Sequence, residues 1–118
     1  MQETSTIISY KDKDYRLEFN INVLGELQEK YGSVQEWVNT VNLYNKDGEE
    51  INVKALIYGL TVAINEGIEI SNEEKNEKQK PLTQKQVGRM LTQVGLETAS
   101  QKVANAVIES TKTDEKNE

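Results

Sequence analysis

Side chains able to hold a metal, move a proton or attack an electrophile are few in this chain, and their positions limit what they can do. The aspartates are Asp12, Asp14, Asp47 and Asp114. They fall in KDKD at 11–14, NKDG at 45–48 and the polar C-terminal end, all of turn or tail composition. A short carboxylate in such a segment hydrogen-bonds its neighbouring backbone and makes the turn, which accounts for all four without catalysis. The glutamates scatter over expected solvent faces, and Glu29 or Glu36 equally serves a helix pair or cap. No carboxylate pair recommends itself for glycosidic chemistry. Histidine and cysteine are both absent. That removes the commonest general base and metal ligand, the thiolate sites and any disulfide framework. The NKDG turn has the look of a calcium loop, but placing Gly48 at the sharp-turn position puts Leu43 first and Lys54 last, where oxygen ligands are required. Gly25, Gly32, Gly48, Gly59, Gly67, Gly88 and Gly95 are singletons, so no glycine-rich loop cradles a phosphate. No catalytic residue, no cofactor-binding residue, no metal ligand and no cofactor is assigned, and the chain reads as a non-enzyme.

Aromatic side chains are the remaining carriers of function, because they supply interface energy. Trp37 shares a helical stripe with Val34, Val38 and Val41, which places it in the core. Tyr44 lies beside a turn and is a candidate partner contact.

The 118 residues suit one domain with a modest core, expected over 6–111. Residues 1–5 and 112–118 read as flexible ends, and 71–81, with its SNEEKNEKQK run, reads as a charged loop. The hydrophobic fraction of 36% is low and the charged fraction of 29% slightly high, partly because of these segments. A net charge of −6, with Arg16 and Arg89 far apart, argues against a phosphate-tracking surface, so no nucleic acid is expected as partner. No apolar run approaches membrane-spanning length, and Met1 is followed by the polar QETST; the expectation is a cytoplasmic protein with no membrane partner.

The elements that must position any surface follow from periodicity. Ile8 and Tyr10, then Tyr15, Leu17 and Phe19, alternate with polar residues as in a half-buried hairpin. From Ile21 the period lengthens: Ile21, Leu24, Leu27 and Tyr31 form one helical stripe, capped by Asn20 or Asn22 and ended at Gly32. Ser33 to Glu36 has capping-box spacing for a second helix. Asn52 caps a middle helix with the stripe Ala55, Leu56, Gly59, Leu60, Ala63 and Ile64, which lets another element approach closely, and Gly67 is its expected stop. Thr83 to Gln86 is a further capping box, before Val87, Met90, Leu91 and Val94 and a stop at Gly95. A last helix is expected from Glu97 to about Ser110, with Ala99, Val103, Ala106 and Val107 inward. The fold class is α+β: a small N-terminal β-hairpin or sheet followed by about five helices.

In this order, KDYRLEFNIN, VLGELQEKYGSVQEWV, VKALIYGLTVAINEG and PLTQKQVGRML resemble the tail assembly chaperones of long-tailed phages and Gram-positive prophages. The resemblance covers residues 8–95 and rests on element order and spacing, with the opening its distinctive part; no reactive motif is involved. It implies a non-enzymatic protein that binds the long, helical tape measure protein, keeps it soluble and helps recruit tail tube protein. It also implies residence in the bacterial host cytoplasm, absence from the mature virion, and in many relatives a longer frameshift product as a further partner. The 71–80 run is a departure, longer than the family pattern.

A chaperone of an apolar helical client needs an exposed apolar groove on a soluble acidic exterior, with modest affinity multiplied over many copies and weak self-association at most. That groove is expected between the middle and last helices, lined by Ile57, Tyr58, Val103 and Val107, with Tyr44 a further contact. The same residues packed only on one another would be ordinary core. Two other classes are open: a tail completion or connector subunit, which would form stable rings and stay in the particle, and an acidic mimic of nucleic acid. Mimicry calls for carboxylates in phosphate-like rows, whereas Lys and Glu alternate here.

Overall fold

Two residues reverse the chain at its start. In the computed structural model, which describes residues 6–44 and 50–116 with side chains as far as Ser110, strands β1 (Ile7–Tyr10) and β2 (Lys13–Arg16) pair antiparallel with Ile8 opposite Tyr15. Lys11 and Asp12 between them have φ of 51° and 65°, the signs of a type I′ turn, whose twist matches that of the strands. The KDKD turn thus narrows to Lys11-Asp12. Asp14, expected in the turn, lies in β2, where the Ser9 hydroxyl donates to its Oδ1 at 2.6 Å. Tyr15, Leu17 and Phe19 are all buried, so the alternation outlasts the strand itself.

Asn20 accepts from the Val23 amide and starts α1 (Ile21–Tyr31), which ends at Gly32 with φ of 97°. Its inward residues are Val23 and Leu27, with Leu24 and Tyr31 half-buried. Ile21, expected on this stripe, is 76% exposed. It lies two residues before Val23, about 200° around the helix from the buried face. Helix α2 (Val34–Val41) starts where the Ser33 hydroxyl accepts from the Glu36 amide, and closes on Asn42 in the left-handed region.

Helix α3 (Val53–Lys75) starts at the Asn52 cap and does not stop at Gly67. It runs through Gly67, Ile68 and Ile70 to a left-handed Asn76, so the loop expected at 71–81 is confined to 76–83. Gly67 is there for closeness, not termination: a Cβ on it would lie 2.6 Å from the Arg16 carbonyl oxygen of β2. Two asparagines on α3 hold the loop that follows. Asn72 pairs with both backbone groups of Gln79 at 3.0 Å, and Asn65 with both of Leu82 at 2.8 and 2.9 Å. The Thr83–Gln86 capping box then opens α4 (Gln84–Val94), closed by Gly95. Helix α5 (Leu96–Lys116) starts one residue before the expected Glu97 and carries the chain beyond Ser110 to Lys116, into the end read as flexible. The N-terminal residues 1–5, the NKDG turn with Asp47, and the last two residues lie outside the described residues.

The architecture is α+β, a two-stranded antiparallel hairpin followed by five helices among the described residues. Helix α3 packs on α1, α2, α4 and β2, while α5 packs chiefly on α4 and β1. Ala55, Gly59, Ala63 and Gly67, spaced by four and all buried, make one small-residue edge along α3. Trp37, completely buried, lies against Gly59, and its indole N–H donates to the Ala55 carbonyl at 3.0 Å. Phe19 flanks the indole with ring centroids 5.9 Å apart. Further along the same edge the Glu18 amide donates to the Ala63 carbonyl at 3.3 Å.

A methyl at position 59 would approach Trp37 Cζ2 to 2.2 Å, against the most rigid side chain in the core. Gly59→Ala is therefore expected to lower stability in urea unfolding by roughly 2–4 kcal/mol, despite alanine's better helix propensity. Gly25→Ala, in the interior of α1 with nothing within 4 Å, should instead raise it by about 0.5–1 kcal/mol. Equal effects of the two substitutions would show that close packing at Gly59 does not govern the fold.

Candidate functional site

The apolar groove expected between α3 and α5 does not form from the residues proposed for it. Val103 and Val107 are buried in the core with Ala99 and Ala106, as their inward stripe requires. Ile57 is half-buried facing α4, where its Cδ1 is the nearest neighbour to Gly88. Tyr58 turns to α1: its ring meets Tyr31 edge-on with centroids 5.9 Å apart, and Lys30 Nζ sits 5.0 Å above it. Successive positions on α3 are about 100° apart around the helix. Ile57 and Tyr58 consequently serve two different neighbours.

Tyr44 is the proposed contact that does lie in a groove. About 700 Å³ opens between the connection after α2 (Leu43, Tyr44, Glu50, Ile51), Val53 at the start of α3, and one face of α5. Three large apolar side chains converge there: Tyr44 is 48% exposed, Val53 40% and Leu96 39%. Scattered singly, exposed apolar residues need no explanation, but three around one concavity do. The α5 wall is built from Leu96, Ser100 and Ala104, spaced by four and set beside the inward stripe of the same helix, with Glu97 and Gln101 next to them. Small side chains at 100 and 104 make the depression. Ser100 is buried, and its Oγ has no hydrogen-bond partner.

Each wall is held from behind. On one side the Asn52 amide donates to the Val41 carbonyl at 3.0 Å and the Leu43 amide to Val38 at 3.2 Å, which ties the connection to α2. On the other, α5 is fixed by Ser110, whose hydroxyl donates to the Phe19 carbonyl at 2.7 Å. Sequence periodicity assigned only the inward stripe of α5, so Val53, Leu96, Ser100 and Ala104 were not anticipated. The available signal was the second four-residue repeat running from Leu96.

Among the described residues no three His, Cys, Asp or Glu side chains gather where a metal ion could be held, and no helix is long and apolar enough to cross a membrane. The perturbed acid–base groups belong to the tyrosine pair. Burial pushes the phenols of Tyr31 and Tyr58 up, and for Tyr58 the charges of Glu26, then Tyr31, then Glu29 add to it. Neither phenol lies in the groove. No protein-family model matches the chain, and neither does any curated protein or solved structure.

Groove residues that serve a surface should be dispensable for folding. Tyr44→Ser and Leu96→Ser are expected to change unfolding stability by no more than about 0.5–1 kcal/mol, against roughly 1–3 kcal/mol for Val103→Ala, measured in urea. A comparable loss from all three would make the groove part of the core. The tyrosine pair gives a pH test. A phenol whose folded pKa is raised stabilises the fold below the ordinary value of 10.0, and that contribution is lost as pH rises through the folded value. The midpoint of the phenolate absorbance that Tyr58→Phe removes should therefore lie above pH 10.0, and a midpoint at or below that value would contradict the burial.

Proposed function

We propose that this chain is a non-enzymatic tail assembly chaperone of a long-tailed phage or Gram-positive prophage. It binds the tape measure protein in the host cytoplasm, keeps it soluble, helps recruit tail tube protein and does not remain in the mature virion. The observation that carries the reading is the groove in which Tyr44, Val53 and Leu96 converge on a chain of net charge −6. Support also comes from the run of hairpin and helices, which follows the order in which the quoted segments resemble that family.

A long helical client exposes apolar stripes that associate with one another unless covered. An open groove between two walls takes such a helix by its apolar side chains, which is helix-in-groove recognition. The strength available is modest. Complete burial of an apolar side chain is worth about 1.5–3 kcal/mol, and these three are already half covered, so their side of the contact contributes roughly 2–4 kcal/mol. Association itself costs at least that much. One copy therefore binds weakly, and protection of a long client comes from many copies along it, each easily released when tube subunits arrive.

Co-expression with the tape measure protein of the same phage or prophage is the test. The expected result is a soluble complex of the two and loss of tape measure solubility when this chain is omitted or carries Tyr44→Ser with Leu96→Ser. If the two proteins never co-purify and this chain is found in purified virions, it is a connector or completion subunit instead.

A further inference from the structure

The groove's charge identifies the kind of helix it takes. Its charged lining residues, among those described, are Glu50 and Glu97. Both are exposed, and they come from the two separate walls, Glu50 from the connection before α3 and Glu97 from the first turn of α5. Lys54 and Lys102, each next in sequence to a lining residue, are not among the lining residues themselves. The groove between the two walls is otherwise lined by the apolar side chains of Tyr44, Val53 and Leu96 and the small side chains of Ser100 and Ala104, among others. We infer that the groove is specific for an amphipathic helix whose apolar stripe is edged on both sides by lysine or arginine, and that it rejects the same stripe edged by glutamate. This rests on the reading of the groove as a client site and states which segments of the client would occupy it.

Three features carry the inference. A helix laid along the floor places its apolar stripe between the walls and its flanking positions over the rims, where Glu50 and Glu97 stand. Opposite charges at a rim steer approach and fix register, and like charges there exclude the wrong partner. The small side chains at 100 and 104 allow the incoming backbone close to α5, as small residues do wherever helices meet at short range. The protein's overall charge of −6 adds long-range attraction for a basic segment, and the two carboxylates among the described lining residues give that attraction a location.

The test uses the full chain and fluorescent synthetic helices of about 20 residues. One has a leucine stripe edged by lysine and a second the same stripe edged by glutamate. A third has the composition of the first, scrambled to destroy the stripe. By fluorescence anisotropy at low salt the lysine-edged helix is expected to bind about tenfold or more tighter than either other peptide, with the preference over the glutamate-edged helix shrinking at roughly 0.5 M salt. The double variant Glu50→Gln with Glu97→Gln should retain the wild-type circular dichroism and melting curve while losing the preference for lysine over glutamate edges. Equal binding of the first two peptides, or equal binding of the scrambled one, overturns the inference, as does a preference that survives in the double variant. The two readings fail separately. Discrimination among peptides without tape measure co-purification leaves the groove specificity standing and removes the assigned client. Co-purification without discrimination removes the specificity alone.

Discussion

The fold depends on a line of side chains too small to keep its neighbours away. Ala55, Gly59, Ala63 and Gly67 recur every four residues along α3, and each missing carbon admits something specific. At Gly59 it admits the indole of Trp37, which completes the approach by donating to the Ala55 carbonyl. At Gly67 it admits the backbone of β2 at Arg16, and between them the Glu18 amide reaches the Ala63 carbonyl. Helix carbonyls have a second lone pair, and on this edge two of them use it for tertiary contacts. A two-stranded hairpin is marginal by itself in water. Here it is stabilised because its backbone lies directly on a helix and its inner side chains reach the same core as Trp37.

The position of the groove follows from that line. Seating Trp37 fixes α2 on the N-terminal half of α3, so the connection bearing Leu43 and Tyr44 has to emerge beside Val53. Seating β2 on the other half leaves α5 to pack against α4 and β1 and to reach back to Phe19 through Ser110. The two groove walls are thereby attached to the core by separate routes, and the apolar residues between them stay uncovered. The Asn65 and Asn72 clamps hold the loop that follows α3 back along the helix.

Local signals in the sequence were enough for most of the elements. Asn20, Ser33, Asn52 and Thr83 are the caps their spacing announces, and Gly32 and Gly95 are true helix ends. Gly67 misleads because a glycine before a charged run has the local signature of a helix end, while its actual reason is a strand more than fifty residues earlier in the chain. With that stop removed, Glu73, Glu74 and Lys75 are simply good helix formers on a solvated turn. Trp37 was readable as core from its stripe. Tyr44, read as a candidate contact from its place beside a turn, is exposed and lines the groove. Tyr58 and Ile57 were not separable, since periodicity gives the inward direction of a helix but not which neighbour stands on either side of it. Leu96 and Val53 were missed for a related reason: each is the first residue of its helix and lies off the inward stripe, and only the meeting of two helix starts makes them a surface.

The central claim is that the proposed client is held between the connection after α2 and the outer stripe of α5. Amide chemical-shift mapping of the isotope-labelled chain, titrated with a helical fragment of the tape measure protein, tests it most directly. The largest perturbations are expected at Leu43, Tyr44, Ile51, Val53 and Leu96 to Ala104, with the hairpin and the Tyr31–Tyr58 pair unaffected. Perturbations centred on Tyr31 and Tyr58, or none with the fragment in excess, would contradict it.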